Sequence, residues 1–123
     1  MKNTPILLLF LALATLLSCT SKSDLIAKKW SMKQMEIAGQ KLEGEAIAGF
    51  SFDIKSDGTY KMTAMEEESG KWKLSGDSLI TTRDQAEQSG SAIVKELKSD
   101  KLVLIGNSEG VDMMMEFVPE GSK

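Results

Sequence analysis

The chain predicts an all-β domain, a single up-and-down antiparallel β-barrel of about eight strands, with a short helical turn ahead of it. Three observations carry this. Apolar and polar residues alternate with period two in short runs, as in half-buried strands. Gly, Asp, Asn and Ser punctuate those runs about every ten residues, as hairpin turns do. Consecutive short strands must also hide their edges, and closing the meander into a barrel does so. A two-sheet sandwich is the competing arrangement, but the short, even connections favour the meander.

The opening residues lie outside that fold. "MKNTPILLLFLALATLLSC" has one charge, Lys2, then an apolar stretch from Ile6 to Leu17, then Ser18 and Cys19. This is the layout of a secretory signal peptide. The run stops short of the roughly 20 apolar residues a spanning helix needs. Residues 1–18 are therefore expected to be removed, leaving 105 of 123 residues, enough for one small domain. Dropping Lys2 changes the net charge from −3 to −4. Cys19 is the sole cysteine, so no internal disulfide can form.

Residues 19–24 read as a polar tether, reaching at most roughly 20 Å from Cys19 to Leu25 when extended. "SDLIAKKW" offers Ser23 or Asp24 as the N-cap of a turn or two of helix, with Leu25, Ile26 and Trp30 as apolar contacts. The first strand spans about residues 30–37; the parity of Trp30 and Met32 disagrees with that of Met35 and Ile37, which predicts a bulge near Lys33-Gln34. Residues 41–49, "KLEGEAIAG", fit a strand, a helix or a lid equally well.

In "FSFDI", Phe50, Phe52 and Ile54 share a face, and "TYKMTAM" continues with Tyr60, Met62 and Ala64. The Asp57-Gly58 pair between them is a strong hairpin signal. "GKWKLS" places Trp72 and Leu74 inside, and "SGD" returns the chain into "SLITTR". Residues 84–90 read as a loop. "SAIVKELK" turns through Ser99-Asp100 into "KLVLIGN", and "VDMMMEFVP" closes the set with Val111, Met113, Met115 and Phe117 on one side. The domain so defined covers residues 25–119, with a tail of 120–123.

The inward set is then Trp30, Phe50, Phe52, Ile54, Tyr60, Met62, Trp72, Leu74, Leu102, Leu104, Val111, Met113, Met115 and Phe117. An eight-stranded barrel either fills itself with side chains or holds one small ligand. If it is hollow, the candidate lining is Trp30, Phe50, Phe52, Tyr60, Met62, Trp72, Leu104, Met113, Met115 and Phe117, with methionine supplying an adaptable surface.

Several functions are disfavoured. Nucleic acid calls for a clustered basic face, and the chain is acidic with one arginine, Arg83. Histidine is absent, which removes the usual general base and the commonest metal ligand. Glu66, Glu67 and Glu68 read as a solvated turn. A copper(I) thioether site fails on geometry, since alternation sends Met114 away from Met113 and Met115. No enzyme activity, cofactor or metal is expected.

Two resemblances extend this reading. Leu16, Leu17, Ser18 and Cys19 resemble the lipobox of bacterial lipoproteins, which implies a diacylglycerol on the Cys19 thiol and acyl chains such as palmitate at the new N-terminus. Thr20 stands where an aspartate would imply inner-membrane retention, so the resemblance favours the outer membrane, with the facing side open. Trp30, "FSFDIKSDGTYKM", "ESGKWKLSGDSLI" and "MEFVP" together resemble the small lipocalin-like domains carried by such lipoproteins. Larger lipocalins have Gly two residues before that Trp and a late arginine stacked on it. Here Lys28 holds the Gly position, and no arginine follows Arg83.

The expected function is a membrane-anchored lipoprotein whose barrel binds a small hydrophobic ligand near the cell envelope. The alternative is a non-enzymatic interaction module, a subunit or inhibitor with a filled core, using outward apolar residues such as Met65, Met114 and Val118 to meet a protein partner.

Overall fold

The computed structural model describes residues 21–85, 89–108 and 110–121. Residues 1–20, which include the expected signal peptide and Cys19, lie outside the described residues. A five-residue helix α1 (Lys22–Ile26) leads into β1 (Lys29–Ile37), β2 (Gln40–Glu43), a single 3₁₀ turn (Gly44–Ile47), β3 (Ser51–Ile54) and β4 (Thr59–Thr63). There follow β5 (Glu67–Ser75), β6 (Ser78–Arg83), β7 (Ser89–Lys98), β8 (Lys101–Ser108) and β9 (Val111–Pro119).

Each strand pairs antiparallel with its neighbour, and β1 also pairs with β9, so β1 and β3–β9 close into an eight-stranded barrel. The ninth strand, β2, is additional: it forms a hairpin with the upper half of β1, while β3 takes the lower half. Residues 41–49 thus divide between a strand and the 3₁₀ turn. The register shifts between Met32 and Gln34, as the change of parity in β1 predicts. A second shift, between Val94 and Glu96, carries the inward face from Val94 to Leu97.

Local chemistry explains the turns. Asp57 Oδ1 accepts from the Thr59 amide at 3.0 Å and the Thr59 hydroxyl at 2.6 Å, while Gly58 takes φ +92°, which only glycine adopts freely. Those hydrogen bonds hold the Asp57 carboxyl below its ordinary pKa.

Four expected boundaries shift. The cap of α1 is Ser21, whose Oγ accepts from the Asp24 amide at 3.2 Å, so Ser23 and Asp24 lie inside the helix and the tether ends earlier. β4 stops at Thr63, leaving Ala64 exposed in the turn rather than inward. β5 begins at Glu67, so the glutamate run is partly strand. Ser89 and Gly90 belong to β7 rather than to a loop.

The core occupies the lower half of the barrel. Ile26, Trp30 and Leu102 are fully buried, and Ile54, Leu79 and Leu104 nearly so. Each such side chain contributes roughly 1.5–3 kcal/mol on burial. α1 closes the lower end. Trp30 Nε1 donates to the Ile26 carbonyl at 2.9 Å, satisfying a buried N–H. Lys28 Nζ sits 5.1 Å from the centroid of the Trp30 ring and donates to the Ser99 carbonyl at 2.8 Å, tying the chain's entry to the β7–β8 turn. In this barrel a lysine from the Gly position supplies the cation on the tryptophan.

Candidate functional site

Above this filled base the barrel is hollow. A cavity of about 190 Å³ opens at the upper end, lined by Phe52, Met62, Leu79, Thr81, Gly90, Ser91, Ala92, Leu104, Gly106, Asn107, Met113, Met115 and Phe117. Its cause is legible strand by strand. β8 presents Leu102, Leu104 and then Gly106 inward, and β7 presents Val94, Ala92 and then Gly90. Toward the mouth, large side chains give way to small ones and space opens.

Size limits the occupant. An apolar cavity of about 150 Å³ takes a benzene molecule, whereas drug-sized ligands occupy roughly 300–1,000 Å³. At about 190 Å³ the mouth suits one ring or a short chain. Larger hollows lie outside: about 610 Å³ beside Glu36, Ile105 and Met114, and about 410 Å³ between β1 and the 3₁₀ turn. Those are grooves along the outer surface, walled by charged as well as apolar residues. The mouth cavity is the one lined mainly by inward faces, and it opens where the β7–β8 pairing ends at Ile93 and Ile105, beside Ser91 and Asn107.

Of the ten expected lining residues, Phe52, Met62, Leu104, Met113, Met115 and Phe117 surround the cavity. Trp30 lies beneath it in the base. Tyr60 sits behind Phe52, their rings edge to face with centroids 5.7 Å apart, and Phe52 also meets Phe117 at 6.1 Å. Trp72 packs against the core and donates Nε1–H to the Lys55 carbonyl at 2.7 Å, away from the cavity. Phe50 is a correction: β3 starts at Ser51, the turn at Gly49 displaces the residue before it, and Phe50 lines the outer groove instead. Val111 is another, 39 % exposed where the β1–β9 pairing has ended at Ile37 and Met113, and Val111 pairs only with Ser108 on β8.

Sequence reading missed the polar wall. Tyr60 and Met62 on β4, Glu68 on β5, and Thr81 and Arg83 on β6 share the inward parity, with Met62 directly opposite Glu68 and Gly70 opposite both Tyr60 and Arg83. Tyr60 OH donates to Glu68 Oε2 at 2.6 Å, and Arg83 Nε lies 3.3 Å from Glu68 Oε1. Glu68 is therefore half-buried, accepting from Tyr60 and ion-paired with Arg83, rather than part of a solvated turn. The signal was available, since Glu68 stands four residues before inward Trp72 on one strand.

Burial, then the hydrogen bond to Glu68 and its charge, push the Tyr60 phenol well above its ordinary value of 10.0. In the unfolded chain the phenol ionises near pH 10, while in the fold it stays protonated, so full stability is present below pH 10 and declines as pH rises above it. The slope is at most about 1.4 kcal/mol per pH unit. As Tyr60 is the single tyrosine, ultraviolet titration reads it alone. Phenolate absorbance should stay absent in the folded protein at pH 10–11, and Tyr60→Phe should flatten the alkaline loss of stability; a midpoint near 10 would contradict the buried donor.

A closed eight-stranded antiparallel barrel with a packed base and an apolar mouth is a lipocalin-type calyx in its architecture. Residues 26–104 match the family model described as the lipocalin-like domain, and the chain belongs to that family. The fold is similar to a lipocalin-like protein from Bacteroides uniformis ATCC 8492, with a TM-score of 0.56 and 18 % identity over 75 % of this chain and 96 % of that one. It is equally similar to an uncharacterized protein from Bacteroides eggerthii DSM 20697, with a TM-score of 0.56 and 16 % identity over 73 % and 97 % of the two chains. At these identities the likeness concerns the fold alone. No curated protein matches the chain.

Proposed function

We propose that the protein is a non-enzymatic envelope lipoprotein, anchored through acylated Cys19, whose barrel mouth holds a small apolar molecule. The observation that carries the binding half is the change from large to small inward residues toward the mouth, which leaves a walled apolar cavity over a packed base. The anchoring half rests on the apolar run before Cys19 and the polar residues after it. Thr20 after the cysteine favours the outer membrane.

The binding half is tested by filling the cavity. A Cβ at Gly90 would meet only Thr81 Oγ1 at 3.7 Å, and one at Gly106 only the Met115 methyl at 3.9 Å, both ordinary contacts. Gly90→Ala with Gly106→Ala should keep the fold and add about 0.4–1 kcal/mol of stability per site by restricting the unfolded chain. Toluene should bind the parent saturably, shifting the Met62, Met113 and Met115 methyl resonances, and bind the double variant at least about tenfold more weakly, a difference of about 1.4 kcal/mol. Equal binding would overturn the cavity reading.

The anchor has a separate test. The mature protein should enter the detergent phase in phase separation, and Cys19→Ser should move it to the aqueous phase. A parent that is already aqueous contradicts the lipoprotein assignment.

One observation favours the alternative, an interaction module. Met65 is 95 % exposed on the β4–β5 turn and Ile93 53 % exposed on β7. Recovery of a stoichiometric protein partner that Met65→Ser releases, with toluene binding absent, would favour that reading.

A further inference from the structure

The polar wall of the mouth says which head group the occupant carries; this rests on the binding reading above. Glu68 and Arg83 lie at the rim as a matched pair, joined at 3.3 Å, with Tyr60 OH on the other carboxylate oxygen at 2.6 Å. Both are reachable from solvent, the Glu68 side chain 27 % and that of Arg83 45 % exposed. They share the inward face with Met62 and Thr81, which line the cavity. The pair does not itself line the cavity: Glu68 stands opposite Met62 and Arg83 two residues beyond Thr81, and both line a separate hollow of about 220 Å³ with Glu67, Ser69 and Gln85. A molecule seated in the cavity meets this donor and acceptor, which cancel in charge, where its polar end passes Met62 and Thr81.

Two considerations decide what such a wall accepts. An ion brought to an apolar site needs an uncompensated opposite charge, or it forfeits its hydration without return. Arg83 spends its charge on Glu68, and Glu68 spends its own on Arg83. Further out, the strand ends around the mouth carry Glu36, Glu66, Asp84 and Asp112, none paired with a lysine or arginine among the described residues. That acidic rim repels an anion before it arrives. An uncharged group faces neither cost: it can accept from the guanidinium donors that Glu68 leaves open, and donate to a carboxylate oxygen, which has lone pairs beyond those already engaged.

We infer that the mouth takes a small neutral amphiphile, an apolar body of one ring or a short chain bearing one uncharged hydroxyl or amide that hydrogen-bonds the Arg83–Glu68 pair. A free fatty acid or other carboxylate is disfavoured by the same geometry.

The test is a matched series on the mature chain, residues 19–123, carrying Cys19→Ser, which keeps it aqueous: toluene, benzyl alcohol, benzoate and benzylamine at pH 7, read by the methyl resonances of Met62, Met113 and Met115. Benzyl alcohol should bind at least about tenfold more tightly than either ion, the scale set by leaving a charge unmatched at an apolar wall. Glu68→Gln leaves Arg83 uncompensated and should shift the preference to benzoate. Arg83→Gln should shift it to benzylamine, and the double variant should restore the preference for the alcohol, which a loss of folding would not do. Benzoate or benzylamine binding as tightly as the alcohol, or rankings unmoved by the single variants, would overturn the inference. If toluene binds while the polar series is unranked, the head-group assignment falls and the cavity stands; if toluene itself fails to bind, both fall.

Discussion

Replacing Trp30 with alanine is expected to remove about 3–5 kcal/mol of stability, the range for truncating a large buried aromatic. The indole is fully buried, its N–H satisfies the Ile26 carbonyl at 2.9 Å, and Lys28 lies against its face. It therefore joins α1, the start of β1 and the β7–β8 turn into one closed end. A typical domain has only about 5–15 kcal/mol in total, so the loss consumes a large share of it. In urea, at about 1–3 kcal/mol per molar, the midpoint should fall by about 2 M. Trp30→Phe separates the two contributions: it keeps most of the apolar contact and removes only the indole donor, because the Ile26 carbonyl still accepts from the Lys28 amide at 2.9 Å, and should cost about 0.5–1.5 kcal/mol for the lost hydrogen bond. A loss below about 1 kcal/mol for the alanine variant would mean that the base is held by other residues.

Gly70→Ala should cost about 3 kcal/mol, although it adds a single methyl. The added Cβ would overlap the Thr82 carbonyl oxygen and lie 2.9 Å from the carbonyl carbon and 3.0 Å from Arg83 Cα. All three are backbone atoms, so no rotamer change relieves the clash. β5 and β6 must move apart where Gly70 pairs with Arg83. The same displacement carries Arg83 from Glu68, so the polar wall should open as stability falls. Gly106→Ala, which meets only a flexible methionine methyl at 3.9 Å, is the matched control. Urea midpoints for the two variants check the contrast, and equal midpoints would show that β5 and β6 have slack at this rung.

How much of this could be read beforehand depended on which face of a strand a residue occupied. Period two in "FSFDI" and "TYKM" placed Phe52, Ile54, Tyr60 and Met62 inside, because each segment is regular over the residues that matter. Parity misled where regular structure ended. Phe50 follows a turn and not a strand, and Val111 alternates inward past the point where β1 stops pairing with β9. The cap of α1 was ambiguous because Ser21, Ser23 and Asp24 are all capping residues. Which one serves is decided by the contacts of Ile26 and Trp30, which no local pattern contains.

The candidate site was half legible for a related reason. Its apolar wall follows from large inward residues, which attract notice in a sequence. Its emptiness follows from Gly90, Ala92 and Gly106, which read as punctuation until the strands around them are aligned. Glu68 looked like a solvated charge because it closes a run of three glutamates, and Arg83 stood out only as the sole arginine. The β5–β6 pairing brings them together on the inner face.

The central claim is that the barrel is filled at its base and hollow at its mouth. Diffraction from crystals of the protein under xenon pressure tests it without assuming any ligand, since xenon enters apolar cavities of this size. The expected result is one anomalous peak among Met62, Met113, Met115 and Phe117, which disappears in the Gly90→Ala, Gly106→Ala variant. No peak in the mouth, or a peak beside Trp30 in the base, would contradict it.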